Sequence, residues 1–155
     1  MNPIETTWNL EALKPDNFEA DLQLIKISAD RLVKKWKKHN NYLKDSNVLL
    51  EALSDFEEYG SVWGGGGRLA YYCWLKLSLD QTNPENRARN NLVAQVLIEN
   101  ANKLRFFDHQ LMKLPLKQQQ VFLDDKNLEH YHYYLQKLFS LAIYELSERE
   151  EKIRR

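Results

Sequence analysis

The sequence has almost no cysteine, no excess charge of either sign and no long apolar run. Its single cysteine, Cys73, excludes an internal disulfide and any zinc site built from several cysteines. Lysine plus arginine and aspartate plus glutamate each number 22, so the chain lacks the basic excess on which general binders of nucleic acid or anionic membranes rely. No apolar run approaches the roughly 18 residues of a membrane span, and residues 1–8 do not have the pattern of a signal peptide. We therefore expect a soluble cytoplasmic protein with neither nucleic acid nor a membrane as a partner.

Helix-breaking residues are also scarce and are confined to a few places. All five glycines lie between Gly60 and Gly67. The four prolines are Pro3, Pro15, Pro84 and Pro115. The segments between these positions are long enough for helices, and no alternation typical of strands stands out. The 155 residues therefore predict an all-α fold, a single domain of about six antiparallel packed helices.

The first three helices are predicted from apolar stripes and start signals. The first begins near Asp16, and spacings of 4, 3, 4, 3 and 4 place six apolar residues on one face: Phe18, Leu22, Ile25, Ala29, Leu32 and Trp36. The second begins after Ser46, a favourable N-cap, and stops at Gly60. The third runs from Arg68 to Leu79 and is apolar nearly all round, which predicts the most buried element of the fold.

The remaining helices follow a strong start signal at Asn83-Pro84-Glu85. The fourth helix is predicted to reach Leu114, with a stripe of Val93, Leu97, Ala101, Leu104, Phe107, Leu111 and Leu114. A short fifth helix covers 117–123, and a sixth runs from Asn127 to Leu146. The sixth helix has the stripe Leu128, Tyr131, Leu135, Leu138 and Ala142.

The chain divides into four predicted segments. Residues 1–63 form a helical hairpin region, 64–67 a glycine hinge, 68–146 a second helical region, and 147–155 the start of a truncated helix. The last segment is predicted because Ser147 and Glu150 have the spacing of a capping box, yet few apolar residues follow. This pattern favours an interpretation of the chain as a piece of a longer protein.

Three patterns are only weak evidence for a zinc site, a phosphate-binding loop or an RNA-binding site. The histidines lack the spacing of a helical zinc site, since His130 and His132 diverge by about 200° on a helix, so exposed helix surface is the preferred interpretation. The tract Gly64, Gly65, Gly66 and Gly67 precedes a helix but has no Gly-Lys-Ser/Thr sequence, which favours a hinge over a phosphate loop. The basic run from Arg31 to Lys38 is flanked by acids and is more typical of a solvated helix end than of an RNA site.

The aromatic clusters are the strongest candidates for binding. Tyr71, Tyr72 and Trp74 fall within one turn, and four consecutive rings at 131–134 point all round a helix, so that some of them face away from the core. Rings and hydroxyls at a surface suit a peptide or a partner domain. The predicted contact residues are Tyr71, Tyr72, Tyr131, His132 and Tyr134.

The order of several segments resembles the N-terminal helical region of the oligoendopeptidase F type of zinc metallopeptidase, a family similar to thimet oligopeptidase. The segments that carry the resemblance are Thr7-Trp8-Asn9-Leu10, Leu69 to Leu75, Leu77 to Asp80, Asn83-Pro84-Glu85, Phe106-Phe107, Lys113-Leu114-Pro115, His130 to Leu135, Leu146-Ser147 and Glu150 to Ile153. Together they span nearly the whole chain. The four-glycine tract is a departure, because it is longer than expected for the family.

The resemblance implies that this chain belongs to a peptide-hydrolysing protein but does not itself carry the catalytic residues. Members of the family carry HExxH and a further glutamate ligand in their C-terminal half, and no position of this chain matches those residues. The chain would be a non-catalytic wall of the substrate channel, with no cofactor of its own and with zinc only in the missing catalytic part. Its partners would be that catalytic domain and oligopeptide substrates.

Two other functions remain open at this stage. A stand-alone helical interaction module would use the same aromatic surface for a protein partner, and a nucleic-acid binder would use the helix from Arg31 to Lys38. Self-association is also expected, because a piece of a larger protein exposes an apolar face meant for the missing part.

Overall fold

The computed structural model describes residues 9–153, and within this range it describes the side chains except those of residue 143 and residues 145–153. The described residues form seven α-helices and three short 3-10 helices, without a strand, which confirms the all-α class. The α-helices are α1 (Phe18–Trp36), α2 (Ser46–Val62), α3 (Gly67–Leu79), α4 (Pro84–Leu104), α5 (Phe106–Met112), α6 (Leu116–Asp124) and α7 (His132–Ile153). The 3-10 helices are Glu11–Leu13, Asn40–Leu43 and Lys126–Tyr131.

The described residues group into two compact units. The first unit comprises 9–30 and 59–102, and the second comprises 31–58 and 103–153. The division falls inside α1, α2 and α4, so each of these helices contributes residues to both units.

The core of the first unit consists of apolar side chains from α1, α3 and α4, together with Leu10 just before the first 3-10 helix. Its buried members are Leu10, Phe18, Leu22, Ile25, Leu69, Tyr72, Cys73, Leu75, Val93 and Val96. The Arg68 side chain donates hydrogen bonds to the carbonyl oxygens of Leu13 and Lys14, at 3.1 and 2.5 Å, and thereby holds the first 3-10 helix against α3. The guanidinium of Arg89 lies 5.3 Å from the centre of the Phe18 ring, a cation–π arrangement at the edge of this core.

The core of the second unit is built around aromatic rings. Tyr42 is fully buried and packs edge-on against Trp36 at 5.9 Å and in a tilted arrangement against Phe107 at 5.1 Å. Its hydroxyl donates a hydrogen bond to Oε1 of Gln110, and burial raises the pKa of Tyr42 to about 12. Because a buried hydroxyl without a partner is costly, this hydrogen bond fixes the orientation of the ring in the core.

The apolar stripe predicted for the first helix is confirmed, whereas the stripe predicted for the fourth is wrong in part. All six stripe residues of α1 are buried. On α4 the buried side chains are Val93, Val96 and Asn100, and Ala101 is exposed. The buried residues are spaced by three and then four positions, which keeps them on one helical face. The predicted residues Val93, Leu97 and Ala101 are spaced by four and four, which moves Ala101 away from that face. The polar character of Asn100 hid this face from a search for apolar residues.

Asn100 is accommodated because its amide nitrogen donates to the carbonyl oxygen of Ile25 at 2.8 Å. Its Oδ1 atom is buried and has no hydrogen-bond partner among the described residues.

The predicted continuous helix to Leu114 is also wrong, since α4 ends at Leu104 and α5 begins at Phe106. The break starts a new register that buries Phe107 and Leu111, four residues apart, in the second unit.

Helix starts agree with the sequence at one site and differ at another. Asn83 caps α4 as predicted, because its Oδ1 accepts hydrogen bonds from the backbone N–H of Glu85 and Asn86 at 2.9 and 3.1 Å. Ser46 is not the cap of α2 but its first residue. The carboxylate of Asp45 provides the cap instead, by accepting from the N–H groups of residues 47 and 48 at 2.8 and 3.2 Å.

The predictions for the sixth helix and for the tail need correction. The chain enters through the 3-10 helix Lys126–Tyr131, and α7 then runs without a break from His132 to Ile153. Ser147 therefore lies inside α7 and does not begin a new helix, because the hydrogen-bonded helix simply continues through the predicted cap. Positions 154 and 155 of the predicted tail segment lie outside the described residues, as do Thr7 and Trp8 of the resemblance.

The glycine tract forms a tight turn between α2 and α3. Gly66 has a φ of +78°, and a Cβ atom at this position would lie 2.6 Å from the Cβ of Ala70. Gly67, the first residue of α3, has a φ of +56°. Any other residue would be strained at Gly66 on both counts, so the turn depends on glycine there. The hinge role of this turn stays a prediction.

Candidate functional site

The predicted contact residues differ widely in exposure. Tyr71 is 52% exposed on α3, whereas Tyr72 is only 7% exposed and belongs to the core of the first unit. The prediction that Tyr72 faces a ligand or partner at the surface is therefore wrong. The reason is helical geometry, since Tyr72 lies three residues from both Leu69 and Leu75, which are buried. The same geometry leaves Tyr71 and Trp74 exposed, so the prediction that α3 is the most buried element is wrong.

Tyr131 and Tyr134 line one cavity in the second unit, which we call the tyrosine groove. It has a volume of about 360 Å³. Its lining residues are Leu53, Phe56, Glu57, Phe107, Tyr131 and Tyr134. Because they come from α2, α5, the third 3-10 helix and α7, four elements of one unit position the groove. His132, the third predicted residue of this region, is exposed at the start of α7 and does not line the groove.

The floor of the groove is apolar and rigidly packed. Phe56 and Phe107 stack with ring centroids 4.1 Å apart and an interplanar angle of 16°. Phe107 is 1% exposed and also contacts Tyr42, while Leu53 is buried beside them. Close packing of this kind leaves little room for side-chain rearrangement, so the shape of the floor is set by the core of the unit.

Two carboxylates hold the hydroxyl groups of the groove tyrosines. The hydroxyl of Tyr131 donates to Oε2 of Glu57 at 2.6 Å. The hydroxyl of Tyr134 donates to Oδ1 of Asp108, also at 2.6 Å. Hydrogen bonds from a hydroxyl to a carboxylate are stronger than those between neutral groups. Both rings are therefore held in place before a ligand arrives.

These hydrogen bonds also determine the charge of the groove. Hydrogen bonds from Tyr131 and then from His130, whose Nε2 lies 3.5 Å from Oε1, lower the pKa of the Glu57 carboxyl. Burial first, and then the neighbouring carboxylate, raises the pKa of Tyr131 beside Glu57 and of Tyr134 beside Asp108. At neutral pH the groove thus presents uncharged phenol rings together with an ionised Glu57.

The arrangement offers contacts for binding of a particular kind. The aromatic faces and the leucine can receive an apolar or alkyl group, and Glu57 can receive a hydrogen-bond donor or a cation. Over the part of the chain that the structure describes, no cluster of three or more histidine, cysteine, aspartate or glutamate side chains is arranged to hold a metal ion. The expectation that zinc belongs to a separate catalytic part remains a prediction.

A second cavity, of about 400 Å³, lies within the first unit next to Cys73. Three of the charged groups along it are engaged locally, since Arg89 pairs with Glu85 at 2.8 Å and Asp80 accepts hydrogen bonds from the residues that follow it. Cys73 is buried as predicted, and burial raises the pKa of its thiol. Neither observation indicates a ligand for this cavity.

One lysine of the basic run at the end of α1 is also engaged within its own unit. The ammonium group of Lys35 lies 2.8 Å from Glu51 and 2.7 Å from Asp55. It also lies 4.8 Å from the centre of the Trp36 ring, so that this lysine covers the indole. These contacts agree with the interpretation of the run as a solvated helix end.

Sequence reasoning missed four of the six groove residues. Leu53, Phe56, Glu57 and Phe107 were expected only as helix residues, and Asp108 was not singled out. The hydrogen bond between Tyr131 and Glu57 joins residues 74 positions apart, and no spacing in the sequence signals such a pair. The one available signal was the run of rings at 131–134, which marked one side of the groove.

Comparison with known proteins adds no evidence about the function of the tyrosine groove. No family model matches the sequence, and neither a curated protein nor a solved structure matches it. Within the described residues, no helix is both long and apolar enough to cross a membrane. The likeness to oligoendopeptidase F accordingly remains a prediction that rests on the segments quoted above.

Proposed function

We propose that this chain is a non-catalytic, peptide-binding helical region that forms a wall of the substrate channel in an oligopeptide-cleaving zinc endopeptidase. The observation that carries the proposal is the tyrosine groove, with Tyr131 and Tyr134 held over an apolar floor. The resemblance supports it, because the segment from His130 to Leu135 that resembles the family also supplies both groove tyrosines.

The size and chemistry of the groove suit a flexible peptide. A volume of about 360 Å³ is at the lower end of small-ligand pockets and accommodates a side chain or two but not a folded domain. Tyrosine combines a large apolar face with a polar group, which matches a peptide whose apolar side chains alternate with backbone N–H and C=O groups. The groove therefore suits one or two side chains of a flexible peptide.

We assign substrate binding and peptide hydrolysis to separate domains, as the resemblance to the family implies. The chain supplies binding and size selection in the cytoplasm, and its partner is the catalytic domain that carries HExxH and zinc. Zinc supplies an activated water for hydrolysis in that domain. The chain described here would contribute orientation of the substrate only.

Peptide binding tests the proposal directly. We expect a fluorescein-labelled, unstructured heptapeptide rich in leucine to raise its fluorescence anisotropy on titration with the chain. Tyr134→Ala removes a groove ring and should weaken binding about tenfold, because aromatic contacts dominate such sites. The matched control is Tyr133→Ala, which removes a 75% exposed neighbour outside the groove and should change affinity less than twofold. Equal losses in both variants, or no binding at all, would contradict the proposal.

The non-catalytic part of the proposal has its own test. The purified chain is incubated with the same peptide and added zinc, and the products are followed by mass spectrometry. We expect the peptide to remain intact. Cleavage that persists after further purification and that requires zinc would show that the chain is itself a peptidase.

The alternative of a stand-alone interaction module is favoured by a different observation. The rings of Tyr71 and Trp74 stack with centroids 6.0 Å apart, and both are more than half exposed on α3. Exposed aromatic pairs are typical of protein interfaces. If the chain self-associates through this pair, light scattering should show an oligomer, and Trp74→Ala should convert it into a monomer while leaving peptide binding at the groove unchanged. A wild-type chain that is already monomeric would remove this support and would also count against the exposed apolar face expected of a piece of a larger protein.

A further inference from the structure

We propose that the tyrosine groove selects peptides by a lysine side chain, with the alkyl stem on the groove floor and the ammonium group at Glu57. This inference deepens the proposed function and rests on it, because it names the class of peptide that the groove prefers.

The charge of the groove is of one sign. Glu57 is the one charged residue among the six that line it. A second carboxylate, that of Asp108, lies directly behind the hydroxyl of Tyr134. The imidazole of His130 lies 3.5 Å from Oε1 of Glu57 and is 73% exposed, so it leaves the carboxylate accessible. A cationic ligand is therefore complementary to the groove, whereas an anionic side chain would be repelled.

The aromatic lining favours the same ligand. Cations are attracted to the faces of phenol rings, and a hydroxyl that donates to a carboxylate makes its ring more electron-rich. Both groove tyrosines donate in this way, Tyr131 to Glu57 and Tyr134 to Asp108. A lysine side chain also has an apolar stem of four methylenes, for which Leu53 and Phe56 provide an apolar surface. An aliphatic side chain alone would use the floor but leave the negative charge unmatched.

The geometry at Glu57 favours lysine over arginine. Oε2 already accepts from Tyr131, and Oε1 already lies beside His130. A guanidinium forms its best pair with two carboxylate oxygens at once, in a planar fork. An ammonium group acts as a compact charge that needs one acceptor position. The partners of Glu57 occupy one acceptor position on each of its oxygens, which disfavours the bidentate contact more than the monodentate one.

The test uses a host peptide with one variable position. The probes are fluorescein-Ala-Ala-Leu-X-Leu-Ala-Ala-amide peptides in which X is lysine, norleucine or arginine. Norleucine keeps the alkyl stem without the charge. We expect the wild-type chain to bind the lysine peptide about tenfold more tightly than the norleucine peptide, with arginine in between.

Glu57→Gln should remove most of the preference, bringing the lysine and norleucine peptides within about threefold of each other, because only the tyrosine rings and Asp108 then remain to attract the cation. Its matched control is Glu129→Gln, an exposed glutamate of the same unit outside the groove, which should keep the tenfold preference. Because Glu57 is an exposed side chain, the variant should fold, and a thermal melt checks this. Tyr131→Phe provides a second variant, since it leaves the carboxylate in place and should retain a preference for lysine.

The outcomes separate this inference from the proposed function. Equal binding of the lysine and norleucine peptides by the wild type would overturn the inference while leaving peptide binding intact. A preference for arginine over lysine would overturn the argument from the carboxylate geometry. Failure of all three peptides to bind would contradict the proposed function itself. A lysine preference lost equally in Glu57→Gln and Glu129→Gln would show a general charge effect and would also overturn the inference.

Discussion

The two aromatic clusters look alike in the sequence but differ in how their rings are held. On α3, Tyr71 and Trp74 stack on each other and are 52% and 55% exposed. In the second unit, Tyr131 and Tyr134 are tied to carboxylates and line a cavity with a packed phenylalanine floor. The first cluster offers rings at a surface, whereas the second offers rings whose positions are fixed around a volume that a ligand can fill.

The difference teaches that exposure of aromatic side chains is a weak sign of a binding site. A side chain that is ordered only on binding costs about 0.5 to 1.5 kcal/mol of binding free energy. Hydrogen bonds at 2.6 Å remove most of that cost for Tyr131 and Tyr134 before a ligand arrives. Within the described residues, the rings of Tyr71 and Trp74 form no such bond, so we expect the groove to be the stronger site.

The largest expected effect comes from removing the floor of the groove. Phe107→Ala deletes a buried ring that stacks on Phe56 and contacts Tyr42, and it should lower the free energy of unfolding by about 3 to 5 kcal/mol. Trp74→Ala, on the exposed pair of α3, should change it by no more than about 0.5 kcal/mol. Urea unfolding followed by circular dichroism measures both, and similar losses would contradict the distinction between the clusters.

Removing one anchoring hydroxyl should have the next largest effect. Tyr134→Phe keeps the ring but leaves Asp108 without its hydrogen bond, so it should cost about 1 kcal/mol of stability and weaken peptide binding about threefold. Tyr71→Phe on α3 should alter neither quantity measurably. Anisotropy titrations and urea midpoints give the two readouts. If both variants bind peptide like the wild type, anchoring of the rings is not what distinguishes the groove.

Removal of a helix cap should lower the free energy of unfolding by a similar amount, and it tests which unit binds the peptide. Asp45→Ala removes the cap of α2, the helix that carries Glu57, and Asn83→Ala removes the cap of α4. Each should cost about 1 kcal/mol of unfolding free energy. Only Asp45→Ala should also weaken peptide binding, because α2 supplies half of the groove lining. Loss of binding in Asn83→Ala alone would locate the peptide site in the first unit.

The smallest expected effect is a pH dependence at Glu57. Its pKa is lowered in the folded chain, so the carboxylate stabilises the fold above the pKa of the unfolded state and that contribution is lost as the pH falls through the folded value. The difference in urea midpoint between the wild type and Glu57→Gln should therefore be present at pH 7, begin to shrink near the unfolded pKa of about 4.3, and disappear only below the lowered folded pKa. A difference that is constant between pH 7 and pH 3 would show that the hydrogen bond from Tyr131 does not depend on ionisation.

The sequence predicted the helices well where periodicity and caps act locally. The stripe of α1 and the Asn83 cap are confirmed, because both depend on residues within one or two turns of each other. The α4 stripe failed at Asn100, where a hydrogen bond to Ile25 allows a polar side chain on a buried face. Such a partner lies 75 residues away, and local pattern cannot reveal it.

The groove was predictable only on its tyrosine side. The run at 131–134 indicated that some rings must leave the core, but not which ones. That choice depends on Glu57 and Asp108, which meet the tyrosines only after the second unit has folded. The prediction failed for Tyr72 for a related reason, since exposure on a helix depends on which face its neighbours bury.

Chemical-shift mapping by NMR tests most directly whether peptide binding belongs to the groove. The ¹⁵N-labelled chain is titrated with the lysine-containing heptapeptide, and amide shifts are followed by residue. We predict that the largest shifts occur at Leu53, Glu57, Tyr131 and Tyr134, while those at Tyr71 and Trp74 stay at the background level. Shifts concentrated at Tyr71 and Trp74, with none at the groove residues, would contradict the account.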